Sequence, residues 1–217
     1  MTVWFASGNT HKKKELKDIL SSTASPLNAN AFELMIPSDA GLDFEPEETG
    51  ATFLENALIK AAELYRFFKE KRVSMFADGD SIIADDSGLC VDALQGRPGI
   101  HSARYGGKSL GASEKNALLL SELGDNSLRS GRFICAMVLY YGPYRYFAAQ
   151  ETLEVELIKN IESAKGKGGF GYDPISYIPA LGRTVAELSG EEKNLISHRG
   201  KAGRAIARIL GMQQKEH

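Results

Sequence analysis

Two neighbouring carboxylates, Asp85 and Asp86, directly follow an apolar run from Ser81 to Ala84 that predicts a short buried strand. Carboxylates at strand ends in α/β proteins usually face the crevice in which ligands bind, and carboxylate oxygens suit Mg²⁺. Because neighbouring strand residues point to opposite faces, we expect one of the pair to bind a metal or activate water and the other to anchor the loop. The alternative is that both simply cap a turn before Gly88.

A second group of acids precedes a long predicted helix. Glu45, Glu47 and Glu48 come just before the segment Thr52 to Glu55, which has the form of a capping box and opens an amphipathic helix that runs to about residue 71. One of the three acids is a candidate second metal ligand, although acids beside a helix start are also favoured by the helix dipole alone. Within the helix, Lys60 is placed to reach a bound polyphosphate.

The N-terminal segment has the form of a phosphate-binding turn. An apolar run from Val3 to Ala6 predicts a buried strand, and a helix is expected from about residue 11 to Leu20. The turn between them comprises Ser7, Gly8, Asn9, Thr10, His11 and Lys12. Gly8 permits close backbone approach, and the helix N-terminus offers free N–H groups to an anion. A plain strand-to-helix turn with solvated lysines would show the same pattern.

Two segments of the C-terminal half suit a flat, oxygen-rich ligand. The glycine-dense turn Gly168 to Pro174 carries two aromatic residues and a carboxylate and lets such a ligand approach the backbone closely. The run Ser197-His198-Arg199 then opens the last predicted helix, which extends to Leu210. Together with the earlier segments they indicate one composite site, with a base at one end, phosphates at the other and a metal between them.

Composition limits the class of protein. Of the 217 residues, 43% are hydrophobic and 25% charged, as is ordinary for a globular enzyme. The formal net charge of −2 argues against a dedicated nucleic-acid binder. Neither a basic leader nor a long apolar run follows Met1, so we expect no membrane segment and a cytoplasmic location. Cys90 and Cys135 lie in apolar stretches and are expected to be buried, reduced thiols.

The order of predicted elements favours an α/β fold in a single domain covering residues 1–217. Helices alternate with strands first, with a further helix at Ser113 to Leu123, and the second half is rich in strands. Three strands of a meander are expected at Phe133 to Tyr141, Tyr144 to Gln150 and Thr152 to Ile158. This pattern predicts a mixed central sheet with flanking helices, arranged in two lobes.

Six motifs taken in order resemble the inosine triphosphate pyrophosphatase family, over a span from Val3 to about Leu210. The motifs are Ser7-Gly8-Asn9 with Lys12, Glu48 to Ala57, Ala84 to Leu89, Gly96 to Tyr105, Gly168 to Pro174, and Ser197-His198-Arg199. The resemblance implies a cleft between two lobes, dependence on Mg²⁺ and usually a homodimer. It also implies cleavage of the α–β phosphoanhydride of ITP, dITP or XTP, which gives the monophosphate and pyrophosphate.

The resemblance further implies a role for each matching residue. Asp86 would be the proton acceptor and, with Glu48, a metal ligand, while Asp85 or Glu47 could share the metal. The phosphates would be held by the turn from Ser7 to Lys12. The further residues that would contact substrate are Lys60 and Ser87, with Phe170, Gly171, Tyr172 and Asp173 framing the base and sugar and Lys193, His198 and Arg199 completing the base pocket.

Two segments depart from the family pattern, and two other functions are open. Ile161 to Gly168 is rich in Lys and Ser where the family often has a proline-containing approach to the glycine turn. Met75 to Asp80 looks additional to the family's sequence between the long helix and the Asp-Asp strand. The first alternative is a nucleotide sensor without turnover, which the presence of Glu48, Asp86 and Lys12 disfavours. The second is a pyrophosphatase for modified pyrimidine nucleotides, which the Ser-His-Arg run that begins at Ser197 disfavours.

Overall fold

The chain forms an α/β structure on a seven-stranded mixed sheet with flanking helices. The structure, a computed structural model, describes residues 1–22, 27, 32–71, 76–77, 79–107, 109–166, 169 and 171–213. Phe170 and Gly168 of the predicted site, and part of the additional segment from Met75 to Asp80, lie outside the described residues.

The sheet has the strand order β2-β1-β3-β4-β5-β6-β7. The strands are β1 (Thr2–Phe5), β2 (Glu33–Met35), β3 (Ser81–Val91), β4 (Ser130–Gly142), β5 (Arg145–Leu157), β6 (Ser176–Ile178) and β7 (Arg183–Thr184). The helices are α1 (Thr10–Leu20), α2 (Phe53–Glu70), α3 (Ala112–Leu123), α4 (Gly190–Ile196) and α5 (His198–Gln213). β1 pairs in parallel with β2 and β3, whereas β6 pairs antiparallel with β5 and β7.

The chain divides into two compact units. The first contains the described residues of Met1–Asp86, Cys135–Glu151 and Arg199–His217, and the second contains those of Ser87–Ile134 and Thr152–His198. That the whole chain acts as one domain stays a prediction.

Strand alternation gives the first unit two separate apolar cores. Val3 and Ile83 belong to one core together with residues of α1 and α5, whereas Trp4 and Ala84 belong to the other together with residues of α2. Successive side chains of a strand point to opposite faces, so the apolar residues of β1 and β3 supply both cores. This alternation sets the environment of the residues that follow Ala84.

The second unit has a core of its own. Leu89 and Val91 of β3 pack there with Leu119 of α3 and Val155 of β5. Tyr172, predicted to frame the base, also belongs to this core.

Most elements of the first half match the prediction. Thr52 caps α2 through a bond from the backbone N–H of Glu55, and the capping box is confirmed. The prediction that β3 ends at Ala84 is wrong, because the strand continues to Val91 and so contains both aspartates. The alternative turn before Gly88 is wrong for the same reason.

The predicted meander is corrected as well. The last two of its three strands are one long strand, β5, joined to β4 by Pro143 and Tyr144. The predicted break at Glu151 is wrong, because β5 continues through this residue without interruption. β2, β6, β7 and α4 were not predicted from the sequence.

In the part of the chain that the structure describes, no helix is long and apolar enough to cross a membrane. Both cysteines are free thiols; Cys135 is buried, as predicted, but Cys90 is only partly buried.

Candidate active site

Asp85 and Asp86 are neighbours in β3 but contact different helices. Asp85 follows the alternation of Ile83 and accepts hydrogen bonds from Lys12 of α1, at 3.1 Å from Nζ, and from Arg199 of α5, at 3.1 Å from Nε and 3.0 Å from Nη2. Asp86 follows the alternation of Ala84 and turns to α2. The alternation of the strand therefore separates the two carboxylates, as the sequence predicts.

Asp85 is an ionised anchor. Burial alone would raise its pKa, but the charges of Lys12 and Arg199 outweigh burial and hold the pKa of Asp85 well below its usual value. Arg199 also donates from Nη1 to Glu15 of α1. The buried guanidinium of Arg199 thus contacts two carboxylates of the first unit, Asp85 and Glu15. It shares Asp85 with Lys12, a predicted phosphate ligand. Its assignment to the base pocket stays a prediction.

Asp86 is held by two residues one turn apart on α2. Lys60 Nζ lies 3.3 Å from Asp86 Oδ1 and 2.7 Å from Glu48 Oε1. Asn56 Nδ2 donates to the other oxygen of Asp86, Oδ2, at 3.2 Å, and Asn56 Oδ1 accepts from the backbone N–H of Gly50 at 2.8 Å. Three residues that the sequence assigned to the site, Glu48, Lys60 and Asp86, therefore come together.

Asn56 is the member of this group to which the sequence analysis assigned no role. It lies four residues before Lys60, and residues at this spacing share one face of a helix. Asn56 has no exposed surface although it is polar, so its hydrogen bonds to Asp86 and Gly50 replace those with water. The spacing of an amide and a lysine on the buried face of α2 was the signal that could have identified it.

The surroundings of Asp86 make it a better proton acceptor than an exposed aspartate. Burial raises its pKa, Lys60 lowers it and Glu48 raises it again, and the net shift is upward. A carboxylate with a raised pKa holds a proton more readily, which favours a role as general base. Asp85 and Asp86 thus differ in pKa direction although they are adjacent in sequence.

The oxygen donors of the site fit Mg²⁺. Among the described residues, no group of three or more His, Cys, Asp or Glu is arranged to hold a metal ion. Glu48 and Asp86 nevertheless share one ammonium group, that of Lys60, and Mg²⁺ commonly uses one or two carboxylates with water and substrate phosphates. Glu45 and Glu47 are exposed.

The N-terminal turn differs in one respect from the expectation. Asn9 caps α1, and its side-chain oxygen accepts from the backbone N–H groups of His11 at 2.9 Å and Lys12 at 3.1 Å. Two of the N–H groups expected to be free for phosphate are therefore bonded to the cap. Ser7 Oγ accepts from the backbone N–H of Asn9. A Cβ atom added to Gly8 would meet no other atom within 4 Å, so the backbone is open to close approach there.

In the second unit, Lys193 and Asp173 form a buried ion pair with 2.9 Å between Nζ and Oδ2. Gly169 has a φ of +74°, and a Cβ atom there would lie 2.0 Å from the same Asp173 oxygen. Both its conformation and its space therefore require glycine. The backbone oxygen of Gly171 accepts from Asn116 Nδ2 at 3.1 Å.

Two further residues of the predicted base pocket, Tyr172 and His198, contact other residues of the second unit. The hydroxyl of Tyr172 donates to the backbone oxygen of Ser102 at 3.0 Å, and burial raises the pKa of Tyr172. The ring of His198 stacks on Phe133 with 5.1 Å between centroids and 11° between planes. Ser87 is half-buried in β3.

Solved structures share the fold of this chain, a mixed sheet with flanking helices. The structure of the Staphylococcus aureus Ham1 protein matches with a TM-score of 0.78 and 33% sequence identity, covering 98% of this chain and all of that one. The model of the Ham1 family matches residues 3–209, and the chain belongs to this family.

Relatives at higher identity have names that describe their activity. The dITP/XTP pyrophosphatase of Treponema denticola is 44% identical over 213 residues, which cover 97% of this chain and 98% of that protein. The dITP/XTP pyrophosphatase of Clostridium perfringens is 42% identical and covers 91% of each chain.

Proposed function

We propose that this protein hydrolyses deaminated purine nucleoside triphosphates, dITP, XTP and ITP, to the nucleoside monophosphate and pyrophosphate. Membership of the Ham1 family and the names of the relatives support this substrate class. The observation that carries the chemistry is the group formed by Asp86, a buried carboxylate, and Glu48, which share the ammonium group of Lys60.

In this proposal Asp86 accepts a proton from water while the water oxygen forms a bond to the α-phosphorus. The bridging α–β P–O bond breaks, and pyrophosphate leaves with the electron pair of that bond. Lys12 and Lys60 neutralise phosphate charge. Mg²⁺, which Glu48 and Asp86 would hold, supplies further neutralisation of the polyphosphate when bound.

The remaining roles follow the chemistry of each group. The proposed phosphate and substrate contacts are Ser7, Gly8, Asn9, Thr10, His11, Lys12, Lys60 and Ser87. The proposed base and sugar contacts are Phe170, Gly171, Tyr172, Asp173, Lys193, His198 and Arg199. Hydrogen-bond donors among these base contacts would favour the 6-oxygen that inosine and xanthine present, whereas adenine presents an amino group there.

The proposal is tested by chromatography of the products from ITP, dITP and XTP, with Mg²⁺ and after exhaustive chelation. We expect equal amounts of monophosphate and pyrophosphate, and no turnover without a divalent metal. A nucleoside diphosphate as first product would contradict cleavage at the α–β bond, and full turnover after chelation would contradict the metal. Nucleotide binding without any product would favour a sensor instead.

We further propose that the protein is a homodimer that pairs through β5. In the described part of the chain, β6 pairs with β5 at Glu156 and Leu157, which leaves Arg145–Glu151 at an edge. This edge exposes Tyr146 and Phe147. An exposed, apolar strand edge is a template for pairing with another chain.

Charge complementarity favours a second copy of the same strand as the partner. In antiparallel self-pairing about a twofold axis at Ala148, Arg145 of each chain lies opposite Glu151 of the other. The aromatic Phe147 then faces Ala149, a small residue that leaves room for its ring.

Charge reversal tests this pairing by sedimentation. We expect Arg145→Glu to give monomers, because it places two acids opposite each other, and Arg145→Glu combined with Glu151→Arg to restore the dimer. Arg66→Glu, the same charge change at another exposed position of the first unit, serves as control and should leave the dimer intact. A dimer in all four proteins, or a monomeric parent protein, would contradict the proposal.

A further inference from the structure

Asn56 connects three parts of the candidate site. It lies on α2, its amide nitrogen donates to Asp86 of β3, and its amide oxygen accepts from Gly50 in the loop that carries Glu48. The residue is completely buried, so each of these bonds replaces a bond to water. Gly50 approaches so closely that a Cβ atom there would lie 2.7 Å from Asn56 Oδ1.

Asn56 and Lys60 together hold the two oxygens of Asp86 separately. Asn56 bonds to Oδ2 and Lys60 to Oδ1. Rotation about the last side-chain bond of an aspartate is broad, and a single bond to one oxygen leaves much of that freedom. Two donors on different oxygens fix the plane of the carboxylate.

We propose that Asn56 is a positioning residue, which fixes the orientation of the Asp86 carboxylate for attack by water. This inference rests on the proposed function, in which Asp86 is the proton acceptor. The contribution of Asn56 to catalysis is geometric, and displacement of a reacting group by about 1 Å can cost about 10²-fold in rate.

The substitution Asn56→Asp removes one of the two hydrogen bonds of this residue and keeps the other. Aspartate has nearly the same shape and keeps an oxygen for the N–H of Gly50, but it replaces the donor to Asp86 by an acceptor. We expect kcat for dITP to fall about 10²-fold with little change in KM. Asn56→Leu, which removes both bonds at similar volume, should lower kcat as well and also lower the melting temperature.

Glu55→Ala is the matched control for a merely structural role. Glu55 Oε2 accepts from the backbone N–H groups of Ala51 and Thr52 in the same loop. The donors to Asp86 are Asn56 and Lys60, not Glu55. We expect this variant to melt at a lower temperature and to keep the kcat of the parent protein.

A reciprocal exchange tests the contact without reference to activity. Asn56→Asp places a second carboxylate against Asp86 and should therefore lower the melting temperature too. In Asn56→Asp combined with Asp86→Asn, the new amide donates to the new carboxylate, so this loss of melting temperature should be recovered while kcat stays low. Parent-like kcat in folded Asn56→Asp, equal loss of kcat in Glu55→Ala, or no recovery on exchange would overturn the inference. If the parent protein itself hydrolysed none of the nucleotides, the proposed function would fail, and the exchange would still test the contact.

Discussion

At the scale of single residues, the pKa values of two adjacent aspartates are shifted in opposite directions. Asp85 faces Lys12 and Arg199, which hold its pKa down, whereas burial and Glu48 raise the pKa of Asp86 despite the opposing charge of Lys60. Strand alternation alone produces this difference, because it turns each side chain to a different set of helices.

We predict that Asp86→Asn and Asp85→Asn fail in different ways. Asp86→Asn should still bind nucleotide but lose about 10²–10⁴-fold in kcat, because an amide cannot accept the proton. Asp85→Asn should lose about 3–5 kcal/mol in the free energy of unfolding, because it removes the carboxylate that pairs with the buried Arg199 and the partly buried Lys12. Urea unfolding and steady-state kinetics measure the two effects. Parent-like stability of Asp85→Asn would contradict the anchoring role.

The cysteines give a prediction about pH. Burial raises the pKa of Cys135 to about 12, and burial also raises the pKa of Cys90. The thiolate is the reactive form, so at pH 8 Cys135 is a protonated, inaccessible thiol. We expect a thiol reagent at pH 8 to modify Cys90 slowly in the native protein and Cys135 only after unfolding. Rapid modification of both in the folded protein would contradict the burial of Cys135.

At the scale of elements, α2 organises the candidate site. Its capping box fixes the N-terminus, and its buried face presents Asn56 and Lys60 to Asp86 and to the preceding loop. The loop approaches the helix most closely at Gly50.

We predict opposite outcomes for alanine at two glycines. Gly50→Ala places a Cβ atom 2.7 Å from both Asn56 Oδ1 and Glu55 Cβ, and should cost about 1–3 kcal/mol of stability and displace the loop with Glu48. Gly8→Ala meets no other atom within 4 Å and should leave the melting temperature unchanged. Because the proposed phosphate contact approaches the backbone at Gly8, Gly8→Ala should raise the KM for dITP without a loss of stability. Equal melting temperatures for the two variants would contradict the crowding at Gly50.

The elements that could be predicted from sequence carry local signals. The capping box at Thr52 and the apolar period of α2 depend on residues within a few positions of each other. β6 and β7 contain three and two residues, too few for a period, and exist through pairing with β5 and with each other. The length of β3 was underestimated because Asp85 and Asp86 are polar, and only partners distant in sequence make them acceptable inside a strand.

At the scale of the whole molecule, each compact unit holds one set of predicted site residues. Glu48, Lys60 and Asp86 were predicted together and lie together in the first unit. Arg199 was assigned with His198 because they are adjacent in sequence, but its side chain pairs with Asp85 and Glu15. The direction of a side chain at a helix start depends on tertiary partners, which sequence adjacency does not specify.

We predict that kcat/KM is far higher for ITP, dITP and XTP than for ATP and GTP. Adenine presents an amino donor where inosine and xanthine present an oxygen, and a buried mismatch costs about 1–3 kcal/mol per group. Guanine keeps the 6-oxygen, so its rejection must depend on the 2-amino group. Steady-state kinetics with the five nucleotides measure the ratios, and comparable values for ITP and GTP would leave a general pyrophosphatase.

The capping box at the start of α2 also sets a helical phase. An α-helix turns about 100° per residue, so the spacing of four positions from Thr52 to Asn56, and of four more from Asn56 to Lys60, fixes the direction in which each side chain leaves the helix axis. One residue inserted or deleted between Thr52 and Lys60 would rotate one or both donors away from Asp86, although every residue type would still be present. This stretch of the gene can therefore accept substitutions on its exposed face during evolution, but not changes in length.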